Sequence, residues 1–109
     1  MIRYKDGVPQ DGLHPRIDEA LAKAEHLFAA FGLDVIVTAT SNGVHRTGSL
    51  HYSVPCKAVD LRTKHMARES DKVALKVALT AALGPDFDVL YEDPGGSNQH
   101  IHCELDPEG

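Results

Sequence analysis

Two stretches of the chain hold side chains able to bind a metal and activate water beside it. They are Ser49-Leu50-His51-Tyr52, running on to Ala58-Val59-Asp60, and His100-Ile101-His102-Cys103-Glu104. Histidines and an aspartate are the ligand types of a catalytic zinc that keeps one position open for water. A two-histidine, one-carboxylate set also suits iron or manganese, so ligand type leaves the metal open.

These residues need a scaffold that brings distant stretches together. Residues two apart share one face of a strand, so His100, His102 and Glu104 project together while Ile101, Cys103 and Leu105 face a core. Lys57 to Arg62 alternates in the same way and turns Asp60 away from Val59 and Leu61. With Asp60 on a neighbouring strand and His51 on the loop entering it, three ligands can converge on a sheet without any helix contributing.

The remaining elements follow from pattern and punctuation. Residues 1–13 read as a polar arm with turns at Asp6-Gly7 and Asp11-Gly12. Pro15 opens a helix whose apolar stripe runs Ile17, Ala20, Leu21, Ala24, Leu27, Phe28 and Phe31 and stops at Gly32. Asp34 to Ala39 is β-branched and reads as a largely buried strand, followed by a polar loop from Thr40 to Gly48. Ser70 is the expected N-cap of a second helix ending at Leu83, with Ala74, Leu75, Ala78, Leu79, Ala82 and Leu83 as its apolar face. Phe87 to Glu92 and His100 to Leu105 read as strands joined by a turn-rich loop, Asp93 to Gln99. The expected fold is a single α+β domain: a small, mainly antiparallel sheet with two helices packed on one face and a metal site on the other.

Composition narrows the function. At 109 residues, 42% hydrophobic and 25% charged, the chain supports one compact core. A net charge of -5 without a basic run argues against nucleic acid as a partner. Two cysteines imply no disulfide framework, and no apolar run is long enough for a membrane span. Met1-Ile2-Arg3-Tyr4-Lys5-Asp6 lacks the apolar core of a signal peptide, so synthesis as a soluble cytoplasmic protein is expected, with action at a cell wall left open.

Ser-x-His followed by Ala-Val-Asp, a later Asp-Val-Leu-Tyr-Glu and then His-Ile-His-Cys resembles the zinc peptidases of the D-alanyl-D-alanine carboxypeptidase and phage endolysin group. It is similar also to the hedgehog signalling domain that shares their fold. The resemblance spans roughly Thr38 to Leu105 and implies His51, Asp60 and His102 as zinc ligands. It further implies Glu92 as the general base, His45 or His100 as the group that stabilises the oxyanion, and Ser49 as a substrate contact. Peptide bonds of peptidoglycan stem peptides are the implied substrate.

Two departures accompany the likeness. The connection from His51 to Asp60 is longer by two residues than is usual in the family, which a two-residue bulge would accommodate without changing strand parity. Many peptidoglycan-cleaving members also carry an acidic base three residues before the last histidine, where this chain has Gln99. Glutamine takes no proton, so either Glu92 serves or the chain is a non-catalytic zinc-holding interaction or structural module, the alternative that the hedgehog likeness permits. Outside the motifs, His14, His26 and His65 read as structural, Glu104 as a solvated strand end and Cys103 as core. Cys56 is a soft ligand type within the extended connection.

Overall fold

A computed structural model of the chain describes residues 1–43, 45 and 47–107. Five strands form one mixed sheet in the order β1-β2-β3-β5-β4: β1 (Ile2–Tyr4), β2 (Val35–Ala39), β3 (Ala58–Arg62), β4 (Phe87–Glu92) and β5 (His100–Leu105). β1 runs parallel to β2, and the other three pairings are antiparallel. The arm expected to be irregular therefore supplies an edge strand. Ile2-Arg3-Tyr4 alternates, and its Ile2 and Tyr4 pack on the core, a period too short to stand out in a polar segment.

Helices α1 (Pro15–Ala29) and α2 (Glu69–Leu83) cover one face of the sheet. α1 starts at the proline as expected, and His14 caps it: its Nδ1 accepts from the Arg16 backbone N–H at 3.1 Å. Ile17, Ala20, Leu21, Ala24 and Phe28 are buried, whereas Phe31, placed in the same stripe by spacing, lies beyond the helix and is exposed. In α2 the N-cap is Arg68, not Ser70, and it makes no side-chain cap. Glu69 and Asp71 place negative charge against the helix's positive end instead. Its buried stripe is Lys72, Leu75, Leu79 and Leu83, and Ala74 and Ala82 face outward.

Alternation sorts the sheet into two chemistries. Val59, Leu61, Val89, Ile101, Cys103 and Leu105 join the helices in the core. The opposite parity carries Asp60, His100, His102 and Glu104 to the other face, with Asp60 paired to His102 and Arg62 to His100 across β3 and β5. Glu92 of β4 then lies opposite His100, and Leu90 opposite His102. Among the described residues no helix is long and apolar enough to cross a membrane.

Candidate metal centre

Three elements deliver the central residues. Asp60 and His102 face each other in the middle of antiparallel β3 and β5, where register alone fixes their approach. His51 arrives from a one-turn 3₁₀ helix, Leu50–Tyr52, whose N-cap Ser49 accepts from the His51 backbone N–H at 3.2 Å. Ser49 thus positions His51 as well as lining the cleft above it. The longer connection to Asp60 is taken up in the loop before β3, not by a bulge within the strand: Cys56 N–H donates to Gly12 O and Lys57 N–H to Leu50 O. A bulge does occur one strand over, between Val37 and Ala39 of β2, and brings Ala39 beside Asp60.

His51 Nε2, His102 Nδ1 and Asp60 Oδ1 form a compact triangle. His51 Nε2 lies 3.3 Å from His102 Nδ1 and 3.2 Å from Asp60 Oδ1, and His102 Nδ1 lies 2.9 Å from Asp60 Oδ1. Ligand bonds of about 2.0–2.1 Å in a tetrahedron imply edges of about 3.3–3.4 Å, so the triangle needs only slight expansion to hold a metal ion. All three residues are buried, at 2%, 7% and 7% exposure for His51, Asp60 and His102.

Each imidazole is fixed from behind. His51 Nδ1–H donates to Thr40 O at 2.6 Å, leaving the Nε2 lone pair free for a metal. Thr40 is itself fully buried, its hydroxyl donating to Pro9 O and its N–H to the Asn42 side chain. On the other side His102 Nε2–H donates to Glu104 Oε1 at 2.6 Å, which leaves Nδ1 as the nitrogen turned towards Asp60 and His51. Glu104 is thus no solvated strand end. It is the carboxylate partner of His102, one of the three residues that could hold a metal, and its shared parity with His100 and His102 was the sequence signal for it. Thr40 carried no such signal.

Metal-free electrostatics follow from this packing. Burial opposes charge on His102, but hydrogen bonds to Asp60 and Glu104 outweigh it and push the imidazole up to about 9. Burial also works against the Asp60 carboxylate, yet His102 and His51 hold it well below the usual carboxylate range. Metal uptake therefore displaces a proton from His102 Nδ1.

The flanks of the triangle differ from one another. His45 stacks on the His51 ring at 3.8 Å and 8°, its Nε2 is 2.8 Å from Asn42 O, and one of its ring nitrogens lies within 4.8 Å of ligand atoms of His51 and Asp60. Tyr52 Oη accepts from His45 N–H at 2.6 Å and donates to Gly43 O, pinning this loop. Across the triangle, Glu92, His100 and Asp60 form a second group within 4.8 Å of one another. His100 Nδ1–H donates to Asn98 O, so its 3.1 Å contact from Nε2 to Glu92 Oε1 requires one proton shared between them.

Other expected positions resolve differently. Gln99 points to the helical side, where its Oε1 accepts from Lys72 Nζ at 2.5 Å and from the Thr63 hydroxyl at 3.1 Å. Cys56 Sγ lies against the carbonyls of His51 and Ala58, and burial raises both its thiol and that of Cys103, the latter to about 12. His65 packs beside Phe28 with its Nε2 at Asp34 O, and His26 is exposed on α1.

The ligand atoms open onto a cleft of about 710 Å³ that His45, Ser49, Leu90, Glu92 and His100 also line. Compared with protein-family models and with curated proteins, the chain matches none.

Proposed function

We propose that the chain is a zinc-dependent peptidase that hydrolyses peptide bonds of the peptidoglycan stem type. The observation that carries this reading is the triangle of His51 Nε2, Asp60 Oδ1 and His102 Nδ1, held from behind and opening onto a cleft beside a Glu92–His100 pair. The motif resemblance supplies the substrate class, and two nitrogens with one carboxylate suit zinc. Held by His51, Asp60 and His102, zinc would lower the pKa of water to about 7 and polarise the scissile carbonyl.

The chain's own residues do the rest. Glu92 accepts the proton of the attacking water and, as its conjugate acid, returns it to the leaving amine. His100, whose Nε2 shares a separate proton with Glu92 Oε1, orients that carboxylate and leaves its other oxygen for the transfer. Negative charge growing on the carbonyl oxygen is met by His45 as the doubly protonated imidazolium, its Nε2–H donating to Asn42 O and its ring oriented by stacking on His51. Ser49 keeps His51 in place, and Leu90 offers an apolar wall beside His102.

The second reading, a zinc-holding module without turnover, draws on Gln99, whose amide is committed to Lys72 and Thr63, so that among the described residues Glu92 is the carboxylate grouped with Asp60 and His100. Purified muropeptides incubated with zinc-loaded wild type and Glu92→Gln, at matched metal content, separate the two. Shortened peptides from wild type alone establish the peptidase. One zinc per chain with no cleavage by either moves the chain to the second class.

A further inference from the structure

The cleft does not end at the metal ligands. Beyond His100 it continues into a pocket of about 90 Å³, and Lys5, Thr38, Asn98 and His100 line both. The charge reverses along the way. Around the ligands the walls carry four carboxylates, Asp60, Glu92, Glu104 and Asp106, whereas the far pocket is lined by Lys5, Arg62 and Lys64 with the polar residues Thr38, Ser97 and Gln99 and no carboxylate.

Three cations in one small pocket are conspicuous in a chain of net charge -5. Elsewhere Arg3 pairs with Asp34, Arg16 with Asp86 and Lys72 with Glu69, and among the described residues Lys23, Lys57, Arg68 and Lys76 form no ion pair, so it is the shared pocket that sets Lys5, Arg62 and Lys64 apart. Lys5, Arg62 and Lys64 form no ion pair among the described residues. Their like charges repel, and an anion placed between them relieves that repulsion while gaining charge-assisted hydrogen bonds.

We propose that Lys5, Arg62 and Lys64 form a carboxylate-binding subsite at the end of the cleft, set to hold a carboxylate of the peptide substrate. The choice of ligand rests on the peptidase reading, and the pocket itself does not. Arg62 follows Asp60 by two residues on the same face of β3, about 6.6–6.8 Å further along the strand. An extended peptide advances about 3.3–3.6 Å per residue, so a carbonyl at the metal leaves the carboxylate one or two residues away. That carboxylate is either the substrate's C-terminus or an acidic side chain close to it. Lys5 comes from the arm preceding α1, outside the stretch that carries the motif resemblance, so this specificity belongs to the chain's own architecture.

Binding is measured by calorimetry on the full chain, zinc-loaded and carrying Glu92→Gln so that ligands survive. The probes are blocked stem-type peptides as free acid, as C-terminal amide, and as amides with Glu or Gln at the last position; cleavage of the same peptides is followed with wild type. The free acid is expected to bind about tenfold more tightly than its amide, with that ratio shrinking at high salt. The ratio is expected to collapse in Arg62→Gln, at a half-buried position, and to fall in Lys5→Gln and Lys64→Gln, at exposed ones. A preference for the Glu amide over the Gln amide, with none for the free acid, assigns the subsite to a side-chain carboxylate. No discrimination in either pair, no binding at all, or a preference that survives all three substitutions overturns the subsite. Indiscriminate cleavage would leave the peptidase standing without the subsite, and carboxylate-selective binding without cleavage would leave the subsite standing without the peptidase.

Discussion

The two sides of the cleft are built to different standards. On the ligand side every donor has a second partner: His51 leans on Thr40, His102 on Glu104, and Asp60 lies between both imidazoles, all within the sheet or against it. On the other side Glu92 has a side chain 46% exposed, and His100 with the Asn98 carbonyl gives it a single chain of support. Groups that hold a cation gain from rigidity, since a loosened ligand loses affinity directly. A group that accepts and returns a proton needs reach, and half-exposure leaves it that freedom. Substitutions should therefore sort by side, with metal retention failing on one and turnover on the other.

Asp60→Ala should have the largest effect. It removes a ligand and strands two buried imidazoles, at a cost of about 3–5 kcal/mol for breaking a buried pair. Zinc per chain should fall to near zero, and the melting temperature of the metal-free chain should drop with it. Glu92→Gln should lower turnover by about 10²–10⁴-fold while zinc content by mass spectrometry stays at one per chain. A loss of zinc in this variant would erase the proposed division. Glu104→Gln should weaken zinc by about 10–100-fold in competition with a chelator, because His102 loses the carboxylate that fixes its tautomer.

The smallest effect is a proton count. In the metal-free chain the His102 imidazole is raised from 6.5 to about 9, so its stabilising contribution is complete below about 6.5 and is lost as pH rises through about 9. Zinc must displace that proton. Calorimetry in buffers of different ionisation enthalpy should show His102 contributing nearly one proton to the release per zinc at pH 7, on top of any from zinc-bound water, with that contribution vanishing above about 9 and apparent affinity rising over the same interval. Glu104→Gln should shift this window downward, since a neutral amide no longer supports the imidazolium.

Strand alternation made much of the centre legible in sequence. It set Asp60, His100 and His102 on one face, and it also explains Gln99, whose parity is that of Ile101 and Cys103 and which accordingly points to the helices. What stayed hidden depends on contacts between distant segments. The carbonyl of Thr40 behind His51 comes from another segment, and backbone groups carry no residue signature. The start of α2 was misplaced because Ser70 has the right chemistry for a cap, while tertiary packing of Lys72 and Leu75 sets the actual entry at Arg68. The edge strand β1 escaped notice because three alternating residues in a polar arm resemble chance until β2 lies beside them.

The two thiols bear on how this protein can be handled. Cys103 sits in the core behind the strand that carries His102, and Cys56 rests against two carbonyls, so neither offers a ready thiolate to oxidants or to soft metals. Metal binding can therefore be tested in air, without the thiol reductants that would themselves compete for the ion.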